Sequence, residues 1–94
     1  MKKEYLNTAN EAAAIFARLR AIVAALRETT LTSDRRAWFM NLCNEFRALL
    51  TVAAPLTFAP WQKNEIANGA DDFNEAVLFY MGVEIAAPSL HYSK

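Results

Sequence analysis

The sequence of 94 residues has few of the side chains that build metal sites and disulfides, with one cysteine (Cys43) and one histidine (His91). A single cysteine forms no intrachain disulfide, and these two residues fall short of the four ligands of a structural zinc site. Two widely separated glycines, Gly69 and Gly82, do not make a phosphate-binding loop. We therefore expect neither a metal nor a cofactor.

The sequence also lacks a long apolar run and a net charge. No run approaches the roughly 20 apolar residues that cross a bilayer, and the opening MKKEYLNTANEAAA has no compact apolar segment followed by a cleavage site. We therefore expect a cytoplasmic protein that does not enter the membrane. A formal net charge of zero argues against a wholly basic protein that coats DNA and against an acidic mimic of DNA.

The charges that are present divide unevenly along the chain. Residues 1–50 carry eight Lys or Arg against five Asp or Glu, a net charge of +3, whereas residues 51–94 carry two against five, a net charge of −3. Segments of opposite charge attract each other. The distribution therefore predicts contacts between the two halves, either within one fold or across a dimer.

Apolar residues are abundant, at 54% of the chain, and in the first half they recur every three or four positions. This spacing is typical of a helix with one buried face. Further alanines, Ala14, Ala21 and Ala25, lie on other sides of the same helix. Because a short chain gains core by pairing with itself, we predict a homodimer or larger homo-oligomer. The predicted stripe contains Ala9, Ala12, Phe16, Leu19, Val23 and Leu26.

A second helix is predicted for SDRRAWFMNLCNEFRALL, in which Ser33 is a suitable N-terminal cap and Asp34 follows near the positive end of the helix. Cys43 lies within its apolar stripe and is interpreted as a small buried residue, since a reactive thiol needs exposure and a positive neighbourhood. The two helices form a helical hairpin over about residues 4–53. The stripe of the second helix contains Phe39, Leu42, Cys43, Phe46, Leu49, Leu50 and Ala53.

Two prolines, Pro55 and Pro60, interrupt the helical pattern and define a connector over residues 54–61. One or two shorter helices are predicted for residues 61–85. Pro60 is a suitable start for the first of them and Gly69 a natural stop. Asp71 or Asp72 would then cap a last helix that ends at about Met81.

The segment VLFYMGVEI is also rich in strand-forming residues, so a strand remains an alternative for residues 76–85. Residues 86–94 are expected to be an extended and partly frayed tail. The whole pattern predicts an all-α fold in which residues 1–94 form a single domain.

The sequence offers no arrangement of residues that specifies a reaction. His91 stands alone in the tail and Cys43 lies on a core stripe, so the two do not indicate a nucleophile and its base. Asp71, Asp72 and Glu75 lack the spacing of a calcium loop. We therefore predict a protein that is not an enzyme and has no catalytic residues.

Binding of another protein is the function class that the composition favours. Arginine and the large aromatic residues are enriched at protein interfaces. An ordinary solvated face with a tryptophan at its boundary is the alternative for the first turns of the second helix. The predicted contact residues are Arg35, Arg36 and Trp38 in those turns, and Phe58 and Trp61 in the connector.

An alternative function is that of a small nucleic-acid-binding regulator that uses the arginines of the hairpin. The predicted connection between the helices is longer than that of a helix-turn-helix unit, and the second helix carries bulky apolar residues on much of its surface. This alternative is therefore less favoured. The arginines concerned are Arg18, Arg20, Arg27, Arg35 and Arg36.

The length of the chain, the opening MKKEYLNTANEAAAIFARLRA and the predicted hairpin together resemble small accessory proteins of lambdoid phages, of the anti-RecBCD protein 1 type. The resemblance covers most of the chain and transfers no individual functional residue. It implies a non-catalytic protein in the host cytoplasm that binds a recombination nuclease of RecBCD type and modifies how that nuclease handles linear DNA.

Overall fold

The chain folds into three α-helices in sequence order. The structure, a computed structural model, describes the backbone of residues 2–93 and the side chains of residues 10–93. The helices are α1 (Lys2–Glu28), α2 (Arg36–Ala53) and α3 (Pro60–Tyr80). Within the described backbone, extended pairing is limited to one isolated bridge between Leu31 and Tyr92. The predicted all-α, single-domain fold is therefore confirmed.

Helix α1 packs along both of the other helices. Its predicted apolar stripe is buried from Ala12 to Leu26, while Ala9 lies outside the described side chains. Helices α2 and α3 meet through stacked rings, with Phe73 of α3 lying 4.5 Å from Phe46 and 5.9 Å from Phe39, centroid to centroid. The main core is thus one apolar cluster shared by three helices.

The stripe predicted for α2 faces this core. Phe39, Cys43, Phe46 and Ala53 are buried, and Leu42, Leu49 and Leu50 are half-buried at its margins. Burial of the Cys43 thiol confirms its interpretation as a small core residue. Exposed arginine side chains lie at the start of the helix, at Arg36, and three turns further on, at Arg47.

The start of α2 differs from the prediction. Ser33 does not cap the helix, because Ser33–Arg35 forms a 3₁₀ turn and α2 begins only at Arg36. The Thr32 hydroxyl donates a hydrogen bond to the Asp34 carboxylate, and this contact lowers the pKa of Asp34. A local side-chain contact of this kind favours a tight turn over an immediate helix.

Helix α3 is one continuous helix of 21 residues, so the predicted stop at Gly69 is wrong. Gly69 is buried in the middle of α3, where it faces Val23 of α1, and Asp71 and Asp72 lie inside the helix without capping one. The helix ends at Tyr80, followed by Gly82 at a φ of 78°. The N–H groups of Gly82 and Val83 donate to Phe79 and Leu78, which closes the helix in a Schellman motif.

The tail does not fray over its described part, which corrects the prediction for residues 86–93. Leu90 is buried in the main core, and the backbone of residues 91–93 pairs with Leu31 through two hydrogen bonds of 2.9 Å. The Glu75 carboxylate accepts hydrogen bonds from Ser89 N (2.7 Å) and the Tyr92 hydroxyl (2.8 Å). One carboxylate in the last third of α3 therefore anchors residues 89–92.

Candidate protein-binding surfaces

The five residues predicted to contact a partner lie in two regions. Arg35, Arg36 and Trp38 precede or begin α2, whereas Phe58 and Trp61 follow its end. An 18-residue helix is about 27 Å long, so these regions lie at opposite ends of α2. We call residues 35, 36 and 38 the arginine–tryptophan corner.

The arginine–tryptophan corner is accessible. The side chains of Arg35 and Arg36 are exposed, and Trp38 is 36% exposed. The Arg35 guanidinium also donates a hydrogen bond to the Thr30 carbonyl, which ties it to the connection between α1 and α2. Arg36 and Trp38 are thus the members of this corner that are open to a partner, while Arg35 also has a role in the fold.

The connector residues differ from each other. Phe58 is only 8% exposed and packs near Phe16 in a satellite cluster with Ala12 and Ala53, so its burial removes it from the candidate surface. Trp61 is 55% exposed, although its ring makes an edge contact with the Phe16 ring at 5.4 Å. The sequence around Pro60 does not indicate which of these two aromatic residues is buried.

Three arginines of α1 pair with carboxylates of the other helices. Arg18 pairs with Glu45 of α2, whereas Arg20 pairs with Glu65 (3.1 Å) and Arg27 with Asp72 (2.5 Å) of α3. The two pairs to α3 join the basic first half to the acidic second half, as the charge distribution predicts. Three of the five arginines that could bind nucleic acid are therefore paired with carboxylates of the same chain.

The other three arginines, Arg35, Arg36 and Arg47, lack such a partner among the described side chains, and two of them lie on α2. Among the side chains of residues 10–93, no carboxylate lies within 4.0 Å of the guanidinium of Arg36 or Arg47. Both side chains are exposed and lie on α2. Helix α2 thus carries two cations that remain available to a partner, and exposed Lys63 of α3 is another.

A cleft of about 230 Å³ opens between α1 and α3. Phe16, Val23 and Ile66 line its floor, and the Arg20–Glu65 ion pair crosses its rim. The volume is below the range typical of small-molecule sites. Throughout the described side chains, no group of three His, Cys, Asp or Glu residues is placed to hold a metal ion.

The outer face of α1 carries alanines that the other helices do not cover. Ala14, Ala17, Ala21 and Ala24 are exposed and spaced at the helical period, which places them on one side of α1. This side lies opposite the buried stripe. We call these four residues the alanine face.

A further apolar surface was not predicted from the sequence. Met40 (47%), Leu78 (42%) and Met81 (68%) are exposed, on α2 and at the end of α3. Leu78 and Met81 are three positions apart, a spacing that places them on one side of a helix. The pattern can be followed along α3 only when the helix is taken to continue through Gly69. Trp38 and Met40 are both exposed, on either side of the α2 stripe.

No family model matches the chain, and no curated protein or solved structure matches it significantly. None of the helices in the described part of the chain has both the length and the apolar character that crossing a bilayer takes.

Proposed function

We propose that this protein is a non-catalytic modulator that acts by binding another protein. The observation that supports the proposal is the arginine–tryptophan corner, where the Arg36 and Trp38 side chains are both exposed at the start of α2, on opposite flanks of that helix. Arginine offers planar hydrogen bonding and tryptophan a large apolar area, and both are frequent among residues that dominate binding energy.

The most specific form of the proposal is a phage accessory protein that works in the host cytoplasm. The resemblance to anti-RecBCD protein 1 suggests that the partner is a recombination nuclease of RecBCD type. The positive charge at Arg36 suits an acidic surface of that partner, or a position beside its DNA path. Binding there would modify degradation of linear DNA without any chemistry by this chain.

The test measures degradation of linear duplex DNA by a purified RecBCD-type nuclease, with and without this protein. We expect the wild-type protein to alter the rate or extent of degradation, and the variant Arg36→Glu with Trp38→Ala to have little effect. Lys63→Glu is a matched charge reversal at the opposite end of the fold and should behave as wild type. An unchanged nuclease in the presence of wild-type protein would rule out this partner.

We also propose that the protein is a homo-oligomer that pairs through the alanine face. Small side chains allow two helices to approach closely, and pairing would cover the otherwise open side of α1. Light scattering at micromolar concentration should give at least a dimer, and Ala17→Glu with Ala21→Glu should give a monomer. A wild-type monomer would remove this part of the proposal.

Direct nucleic-acid binding is the less well supported alternative, because Arg18, Arg20 and Arg27 are paired with carboxylates. A gel shift with nonspecific duplex DNA distinguishes the two. Binding that weakens steeply with salt would favour the alternative, since phosphate contacts release counterions.

A further inference from the structure

The flanks of α2 and α3 that face away from α1 form a second surface. On α2, Arg36, Met40 and Arg47 are separated by four and seven positions, which places them on one side of the helix. On α3, Asn74, Leu78 and Met81 are separated by four and three positions, which also places them on one side of the helix. Met81 lies one residue past the end of the helix. All six side chains are exposed, and we call them the methionine face.

The ring contacts and ion pairs fix how these two flanks are related. Phe39 stacks on Tyr80 and Phe46 stacks on Phe73, so α2 and α3 run antiparallel, with Met40 level with the end of α3. The opposite flank of α2 is held against α1 by Glu45. Met40 and Met81 therefore border the same side of the bundle, the side that α1 does not cover.

The opposite flank of α3 is held against α1 by Glu65 and Asp72. Half-buried Ala70 and Val77 lie on α3 between the side that faces the core and the outer flank that carries Leu78. The methionine face thus continues the apolar core outward to the solvent. Several exposed apolar residues on one side of a bundle are more typical of an interaction site than single exposed residues scattered over the surface.

The charges along the methionine face differ between its two sides. Arg36 and Arg47 lie on its α2 side without a carboxylate within 4.0 Å among the described side chains, whereas exposed Asp71 lies on its α3 side, one turn before Asn74. The arginines are three turns apart, a distance of about 16 Å along the helix. A partner that complements this face is apolar at its centre and acidic along one edge.

We propose that the methionine face binds an amphipathic α-helix of another protein whose apolar stripe is flanked by acidic residues. The proposal rests on the proposed function, because it names the chemistry of the partner segment. Side chains at helical spacing would contact Met40, Leu78 and Met81, and methionine adapts well to such apolar surfaces. Acidic residues about eleven positions apart would reach Arg36 and Arg47.

The experiment uses two synthetic helical peptides with the same leucine stripe, one flanked by glutamate and one by lysine. Fluorescence anisotropy on the full chain should give a Kd for the glutamate peptide that is about tenfold lower than for the lysine peptide. The variant Arg36→Glu with Arg47→Glu should reverse that preference. Equal affinities, or no binding of either peptide, would overturn the proposal.

Apolar contact is tested with Met81→Glu and Met40→Glu, each expected to weaken binding of the glutamate peptide by about tenfold or more. Val52→Glu is the matched control, since Val52 is an exposed apolar residue (44%) on the other flank of α2. Thermal melting checks that each variant is folded. Amide shifts on peptide binding should map to the methionine face, and shifts confined to the alanine face would overturn the proposal.

The nuclease assay separates this inference from the proposed function. If the glutamate peptide binds but the nuclease is unaffected by wild-type protein, the methionine face stands and the assigned partner is wrong. In the opposite case, wild-type protein and the Met81→Glu variant modulate the nuclease equally and neither peptide binds. The assignment of the methionine face is then wrong and the proposed function stands.

Discussion

Gly69 of α3 lies against the side chain of Val23 of α1, and a Cβ atom at residue 69 would be 2.6 Å from Val23 Cγ2. Real side chains do not tolerate such a distance, so α1 and α3 approach each other as closely as they do because residue 69 has no side chain. Gly69 therefore allows the close packing of α3 against α1. It does so in the interior of a helix, where glycine is less favourable than alanine by about 1 kcal/mol.

Gly69→Ala should therefore destabilise the protein by about 1–3 kcal/mol, although alanine is the better helix former. The effect is measured as the free energy of unfolding in denaturant. The control places the same change in a Val23→Ala background, where the removed methyl groups leave room for the new Cβ. Here Gly69→Ala should be neutral or stabilising, and an equal loss in both backgrounds would contradict the packing explanation.

The Arg27–Asp72 pair should matter more for stability than the other ion pairs of α1. Asp72 is buried, whereas Glu45 and Glu65 remain substantially exposed. Arg27→Met would leave a buried carboxylate without its partner and should cost about 1–3 kcal/mol. Arg20→Met should cost less than about 1 kcal/mol, as is usual for exposed pairs.

A double-mutant cycle checks the Arg27 prediction. Adding Asp72→Asn to Arg27→Met should recover part of the lost free energy of unfolding, because the unpaired charge is removed. Strict additivity of the two changes would show that the pair is not coupled.

The sequence indicates the apolar faces of this fold better than its boundaries. The stripes through Phe16 and Phe46 follow from helical periodicity, because burial of one face sets that pattern directly. The role of Gly69 does not follow from periodicity. Its local tendency to end a helix is outweighed by close packing against Val23, which is far away in the chain. Tertiary contact decided the outcome there.

The same limit applies to the candidate site and the tail. Arg36 and Trp38 are accessible as their positions in α2 suggest, but Phe58 is buried because Phe16 lies beside it, which no local pattern reveals. The fully buried Leu31 stands in the connection between α1 and α2 and is covered by contacts with residues 91–93. Such pairing depends on the path of the chain, not on local propensity.

Tail docking should make stability depend on alkaline pH. Burial and the neighbouring Glu75 carboxylate raise the pKa of Tyr92, and burial also raises the pKa of Tyr80. Because the folded state favours the neutral phenols, this contribution is complete below pH about 10, where unfolded tyrosine ionises, and declines as pH rises further. Thermal melts across this range should show the decline.

Tyr92→Phe provides the control for the alkaline effect. It removes the hydrogen bond to Glu75 and the ionisable group but keeps the ring that stacks on Phe79 at 4.4 Å. The variant should be slightly less stable at neutral pH and should lose less stability on going to alkaline pH. An alkaline decline identical to that of wild type would assign the effect to other groups.

Two aromatic residues should differ sharply when truncated. Phe46 is 2% exposed and stacks on Phe73, so Phe46→Ala should destabilise the fold by about 3–5 kcal/mol through the cavity it leaves. Trp61 is mostly exposed and has an edge contact with Phe16, so Trp61→Ala should cost only about 1 kcal/mol. Comparable losses in urea unfolding would mean that Trp61 belongs to the core.

The two arginines of the arginine–tryptophan corner should differ in their effect on stability. Arg35 donates a hydrogen bond to the Thr30 carbonyl, whereas Arg36 is exposed without a carboxylate nearby among the described side chains. Arg35→Ala should therefore lower the free energy of unfolding by about 1 kcal/mol, the usual net value of a hydrogen bond. Arg36→Ala should change it by less than about 0.5 kcal/mol.

Partner capture should show the opposite order. Arg36→Glu is expected to reduce nuclease binding strongly, and more so at low salt, where surface charge is least screened. Combining it with Arg35→Glu should keep the helix content nearly unchanged while abolishing capture, and circular dichroism together with a binding assay at two salt concentrations checks both. If the folded double variant still captured the nuclease as wild type does, neither Arg35 nor Arg36 would contact the nuclease, and this corner would be a solvated surface.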